Sequence, residues 1–410
     1  MTDRIHADLL IPGRGAPVAG GVVVMEQGRI TYAGPADRAP AVGDAAVVEA
    51  ATVMPGLWDC HAHFTGSRSF DPLRWALEPP VAAGARAAMD ARAALRAGVT
   101  SVREVGGLGV HLSRAVEDGT VTGPAIYAAG AMLSMTGGHG DLHELPLPVM
   151  RVVEEASPYI RVCDGETGCR RAVREMLRAG ARVIKVHASG GVLSATDDPH
   201  HQQFTDAELA AIVDEAARSH RAVAAHCHGK AGIMAALRAG VRTIEHGTHL
   251  DEQAAEAMIA ADAILVPTCS VGAQLREVGV AGGVPEYAMP KLLAAGDQHD
   301  RAVELAIAMG VRIAVGTDIF VSGLWGHHGR ELGLLHRRGM APLDVIAAAT
   351  ATAPATLGPQ APRAGLLAEG YDADVITLDA DVLSDIDLLA DATHVTGVWR
   401  AGARVVPFGP

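Results

Sequence analysis

The stretch Leu95-Arg-Ala-Gly-Val-Thr-Ser-Val-Arg-Glu104 recurs along the chain. It returns as Leu177-Arg-Ala-Gly-Ala-Arg-Val-Ile-Lys185, as Leu237-Arg-Ala-Gly-Val-Arg-Thr-Ile-Glu-His246, and more loosely as Ala308-Met-Gly-Val-Arg-Ile-Ala-Val-Gly-Thr-Asp318. Each copy reads as a helix end, a glycine suited to the left-handed cap, and a short β-branched strand. Helix, tight turn and strand in repetition specify a parallel α/β architecture. The four strands finish at Glu104, Lys185, His246 and Asp318, all of them ionisable. In α/β barrels the reactive groups sit where strands end. One such residue is an ordinary solvated loop residue; four in succession point to a functional face.

Working outward, eight strands are expected near 53–59, 99–104, 125–130, 182–187, 222–226, 242–246, 263–267 and 311–317. Helices fit between them. Thr205-Asp-Ala-Glu208 reads as a capping box opening a helix to about Ser219, and 297–309 and 342–356 also read as helical. The predicted fold is a (β/α)8 TIM barrel. The flanks, residues 6–50 and 365–406, instead alternate apolar runs with Gly- and Pro-rich turns, as antiparallel strands do. Strands at opposite ends of a chain share a core only if they meet. The expected organisation is therefore a small β-sandwich built from both termini (1–52 and 361–410) around a barrel of 53–360.

Composition is that of a globular chain with enough apolar residues for one large core and a smaller one: of 410 residues 49% are hydrophobic and 20% charged. A formal charge of −13 argues against nucleic acid, which needs clustered Lys and Arg. The first residues lack the basic start and apolar run of a signal peptide, and no segment supplies the ~20 apolar residues of a membrane span. Five cysteines, an odd number, make no disulfide framework, so a reducing cytoplasmic setting is expected. Cys60 and Cys227 read as buried packing, and Asp197-Asp198 as a solvated turn.

Asp59-Cys-His-Ala-His63 closes the first strand. Residues i and i+2 of a strand share a face, so His61 and His63 can chelate one ion. Ala224-Ala-His-Cys-His-Gly229 and Glu245-His246 follow strands 5 and 6, with His226 the nearer ligand and His228 projecting further into the pocket. Asp318 ends strand 8, where a carboxylate can bind metal and accept a proton. Imidazole and carboxylate donors without a dense thiolate set suit zinc and related metals. Lys185 is an odd ligand as an amine; carboxylated by CO2 it becomes a carbamate able to bridge two ions.

Pro55-Gly-Leu-Trp-Asp-Cys-His-Ala-His63, Ser134-Met-Thr-Gly-Gly-His-Gly-Asp141, Ile184-Lys-Val-His-Ala-Ser-Gly-Gly191, Ala225-His-Cys-His-Gly229, Ile244-Glu-His-Gly247, Gly316-Thr-Asp318 and Gly326-His-His-Gly-Arg-Glu331 appear in this order. The set resembles the amidohydrolase superfamily, in the binuclear, imidazolonepropionase-related branch of Xaa-Pro dipeptidases, carboxypeptidase-like enzymes and ochratoxin-hydrolysing amidases. The resemblance implies two divalent ions, with His61 and His63 on the more buried one, His226 and His246 on the other, Lys185 bridging, and Asp318 as ligand and base. His187 departs from the apolar residue expected two places after the lysine.

The implied activity is hydrolysis of an amide in a dipeptide or N-acyl amino acid, by a metal-bridging hydroxide that Asp318 orients and deprotonates. His139, in the loop Gly137-Gly-His-Gly, is a candidate donor to the oxyanion. His228 and Arg330 are candidates for gripping a substrate carboxylate, with His187 on the pocket wall. The 188–204 loop is long enough to line the pocket. Specialised natural-product amides, lactones and phosphotriesters share such a site. Mononuclear deaminases of the superfamily lack the strand-4 lysine and carry a Glu soon after the strand-5 histidine, unlike this chain. A non-enzymatic scaffold would show missing ligands. Analogy further implies a homo-oligomer acting on a small-molecule amide.

Overall fold

The computed structural model describes residues 2–41 and 45–406. Eight parallel strands run Leu57–Ala62, Val99–Glu104, Ala125–Ala128, Val183–His187, Ala222–Cys227, Thr243–His246, Ile264–Val266 and Arg312–Ile313. Continuous ladders join the first three and the last five. Two backbone seams close the ring. Arg182 N donates to Ala128 O at 2.7 Å, and Cys60 N and His63 N donate to Val315 O and Ile319 O at 2.8 and 2.9 Å. The result is the expected closed barrel, with helices packed outside it.

The repeated glycines behave as read: Gly180 and Gly240 cap their helices in the left-handed region, at φ 110° and 88°. The capping box is also present, Thr205 and Glu208 each satisfying the other's backbone N–H, on a helix Asp206–Ala217. Other boundaries differ. The helix expected from 297 begins at Ala288, and the one expected to 356 ends at Ala349, giving way to a 3-10 segment, Ala353–Gln360, that contains Pro354 and Pro359. Neither proline can donate a backbone hydrogen bond. Two short strands, Met132–Ser134 and Ile160–Val162, extend the sheet beside strand 4 and were not foreseen.

The strand placed near 53–59 is in fact two. Ala46–Pro55 runs in a separate sheet, and Leu57 begins the barrel. Between them Gly56 lies so close to Thr100 that a Cβ would overlap its side chain. The separate sheet has seven strands in the order Ala403–Val406, Val395–Arg400, Val375–Leu378, Ala46–Pro55, Thr2–Leu10, Val18–Glu26, Arg29–Pro35. The two chain ends join where Ala46–Pro55 pairs antiparallel with Val375–Leu378. Trp399 seals the contact, fully buried, with its Nε1 donating to Asp3 at 2.8 Å.

The barrel interior holds a charge pair with no solvent contact. Arg103 Nη2 donates to both Glu245 oxygens at 2.8 and 2.9 Å. Its Nη1 reaches Thr243 Oγ1 at 2.8 Å and its Nε the Cys60 carbonyl at 2.6 Å. Three strands are thereby tied across the core. Arg103→Met should strand the Glu245 charge and cost about 3–5 kcal/mol in denaturant unfolding. Arg103→Met with Glu245→Gln should recover much of that loss; an equally unstable double variant would refute the account.

Candidate active site

At the C-terminal ends of the strands, backbone strain and side-chain anchoring aim several donors at one point. His246, which ends strand 6, and Asp318, in the segment that follows strand 8, both sit at positive φ (69° and 56°), as does Thr268 (54°) after strand 7. Such φ values cost energy in residues other than glycine, and they cluster at functional sites. Asp59 holds the eighth strand end in place: its Oδ1 accepts from His61 N at 3.0 Å and Thr317 N at 3.1 Å.

The imidazoles are held from behind. His61 Nδ1 bonds Glu245 Oε2 at 2.7 Å and His63 Nδ1 the Gly106 carbonyl at 2.8 Å. His246 Nδ1 lies 2.7 Å from Thr268 Oγ1, and His228 Nδ1 2.7 Å from Thr248 Oγ1. Their Nε2 atoms therefore face the cleft, an anchoring typical of metal ligands. His226 is engaged the other way, its Nε2 3.3 Å from the Gly190 carbonyl, which leaves Nδ1. Donor atoms of His61, His63 and Asp318 lie within 4.8 Å of one another, and so do those of His226, His228 and His246. Lys185 stands between the groups, its Nζ 3.2 Å from His61 Nε2.

Burial sets the protonation states. It pushes His61 down to about 4 and holds His226, His228 and His246 well below the ordinary imidazole value. They are neutral, as ligands must be. Burial likewise pushes Lys185 down to about 8, which makes the free amine needed for carboxylation accessible. At Asp318 burial raises the carboxyl, but His61, His63 and Lys185 more than offset it, so the group stays ionised. A buried set of convergent lone pairs beside a carboxylate fits divalent cations.

The cleft is lined by His61, His63, Lys185, His226, His246 and Asp318, and also by His139, His187 and His228. His187 is 3% exposed, and its buried Nδ1 has no partner among the described residues. Glu104, the remaining ionisable strand end, does not reach the cleft. It is fully buried, accepts from Gly109 N at 3.1 Å, and is pushed up to about 8 by burial. Arg330 is not brought to the cleft either. Its guanidinium pairs with Glu277, Nη1 to Oε2 at 2.9 Å, against the carboxylate-gripping role expected of it. Arg276, which carries no motif, does line the cleft, with apolar walls from Trp75, Leu275, Leu292 and Phe320.

The 188–204 loop contributes Val192 and Leu193 to the cleft. Asp197, expected in a solvated turn, is buried instead, with 5% of its side chain exposed. It accepts from Gly191 N, Gln203 Nε2 and Ser194 Oγ. Lys291 clamps the loop from the helix Ala288–Met309, donating to the carbonyls of Gly191, Ser194 and Asp197 at 3.1, 2.9 and 2.5 Å. Ser194 Oγ lies 2.8 Å from His139 Nδ1. With the serine proton on Asp197, His139 must donate through Nδ1, and burial pushes the ring down to about 4. The neutral ring then presents Nε2 as an acceptor, which is opposite to the oxyanion-donor role expected. All five cysteines are buried and free, Cys60 and Cys227 included. No helix among the described residues is long and apolar enough to cross a membrane.

Residues 52–405 match the sequence profile of the amidohydrolase family. The ochratoxinase of Aspergillus niger is 41% identical, over 97% of this chain and 85% of its own length. Its crystal structure superposes with a TM-score of 0.92, covering 100% of this chain and 96% of that one. A prolidase solved with N-methylphosphonate-L-proline is 33% identical, with a TM-score of 0.91 over 98% of this chain and 99% of that one. An imidazolonepropionase of Salinispora tropica is 25% identical over 87% of this chain and 85% of its length.

Lys291→Met removes the clamp without touching the strand ends. Limited proteolysis mapped by mass spectrometry should then show faster cutting within 188–204 than in the wild type. Unchanged cutting there would mean the loop holds itself.

Proposed function

Because the chain belongs to the amidohydrolase family and is a hydrolase of C–N bonds, we propose that it cleaves the amide of N-acyl amino acids or dipeptides, Xaa-Pro dipeptides among them. The single observation that carries this reading is the pair of three-donor groups, His61/His63/Asp318 and His226/His228/His246, with Lys185 between them. We assign two zinc ions. His61, His63 and Asp318 would hold one, His226 and His246 the other, with Lys185 carboxylated between them. Bound there, such ions acidify water and polarise a carbonyl.

The chain's own groups supply the rest. Asp318, whose carboxyl is ionised at neutral pH, takes the proton of the attacking water and returns it to the leaving amine. His228, the most exposed of its trio, and His187 face the substrate. His139 accepts a hydrogen bond through Nε2 from the substrate or a water. Aromatic walls at Trp75 and Phe320, and 41% identity to an ochratoxinase, favour a second reading in which the acyl group is a large aryl acid. Five free, buried thiols suit a reducing cytoplasm.

The test is mass-spectrometric detection of products from zinc-reconstituted enzyme given dipeptides and N-acyl amino acids, aryl acids included. Asp318→Asn should lower kcat by about 1,000-fold or more with metal retained, a loss on the scale of a general-base contribution. Retained turnover in that variant would remove Asp318 from the base role. Lys185→Ala should lose metal, and added short carboxylates should restore it; undiminished metal content would sink the carboxylated bridge. Chelation should abolish turnover in all cases.

A further inference from the structure

The cleft is lined by one lysine and one arginine, and the first of them, Lys185, stands among the metal-ligand candidates. The other is Arg276, half-buried on the helix Cys269–Val278. Among the described residues its guanidinium has no hydrogen-bond or ion-pair partner. The nearest carboxylate in sequence, Glu277, is already taken by Arg330. A half-buried guanidinium with five donors and nothing to bond is a group waiting for a ligand.

Two glycines make room for it. Gly296 is buried in the interior of the helix Ala288–Met309, where glycine is disfavoured on entropic grounds. A Cβ there would stand 3.0 Å from Arg276 Nη1 and 3.5 Å from Cζ. Gly272, one turn before Arg276 on the same face, would place its Cβ 3.5 Å from the same nitrogen. The guanidinium thus lies in a slot between two helices. His299 follows Gly296 by about 4.5 Å along the helix axis, and its Nε2 lies 3.0 Å from the His246 carbonyl. The slot is therefore adjacent to the candidate ligands. Val271, Leu275 and Leu292 form an apolar wall beside it.

We propose that Arg276 binds a carboxylate on the leaving-amine half of the substrate, so that the preferred substrates are amides of large apolar amino acids with a free carboxyl group. A carboxylate can accept two parallel hydrogen bonds from the guanidinium, which a lysine in its place could not reproduce. Val271, Leu275 and Leu292 receive the amino acid's side chain. This inference rests on the amide-hydrolase reading above.

The test compares an N-acyl-leucine with the N-acyl-isopentylamide, the same amide without its carboxyl group. Wild type should prefer the acid. In Arg276→Gln the ratio of the two kcat/KM values should fall roughly 10–100-fold, the scale of a charged hydrogen-bonded pair, chiefly through KM. Arg276→Lys should recover part of the ratio. Gly296→Ala, which keeps the arginine and crowds it, should weaken the preference with the melting temperature preserved. Calorimetry with leucine against isopentylamine reads the same recognition without turnover. An unchanged ratio in Arg276→Gln, or equal use of both substrates by wild type, overturns the proposal. Hydrolysis of neither substrate, with leucine still bound in an Arg276-dependent way, sinks the amide-hydrolase reading alone. Neither hydrolysis nor binding sinks both.

Discussion

A carboxylate and a guanidinium with no solvent contact would each cost several kcal/mol to bury alone. Glu245 and Arg103 are tolerated at the barrel centre because each guanidinium nitrogen and each carboxylate oxygen has a partner, in each other, Thr243, the Cys60 carbonyl and His61. The arginine holds Glu245 well below the ordinary carboxylate range in spite of its burial. An ionised Glu245 accepts from His61 Nδ1, so the His61 lone pair must lie on Nε2, toward Asp318 and Lys185. The contact that joins strands 1, 2 and 6 thus also chooses the tautomer of a ligand candidate. Asp59 does the equivalent for strand 8, bonding the backbone of both His61 and Thr317.

With the strand ends fixed from below, strain can be kept above them. His246, Thr268 and Asp318 hold left-handed backbone conformations on three successive strand ends, and only a rigid barrel could sustain that. From the other side the 188–204 loop is held by Lys291 and by Asp197, which links through Ser194 to His139. The cleft is a joint product of an inflexible floor and a clamped roof.

The strand-end chemistry was legible because it is local. A glycine-capped helix followed by a short β-branched strand places its last residue without further information, and Lys185, His246 and Asp318 arrive together. Glu104 shares the pattern but turns inward to the backbone of Gly109, a difference that rests on one backbone turn and not on residue type. The Arg103–Glu245 pair was not legible: its members are 142 positions apart, on strands that do not pair with each other. Asp197 looked solvated because its partner Lys291 lies 94 positions away on another element. Arg330 was expected at the cleft, and Arg276 drew no expectation, for the same reason. The motif around Arg330 drew attention, while Glu277, which occupies it, and the two glycines that seat Arg276 belong to unremarkable helices.

The shared terminal sheet bears on how the chain is made. Four of its seven strands lie before residue 56 and three after residue 374. At synthesis rates of about 5–20 residues per second, the first group waits roughly 15–60 s on the ribosome for the second. Throughout that interval the edge of Ala46–Pro55, later covered by Val375–Leu378, is an open row of peptide groups. The nascent chain is therefore most exposed to mispairing with its neighbours on a polysome while the barrel is being translated, and release from that hazard comes only when the last strands emerge.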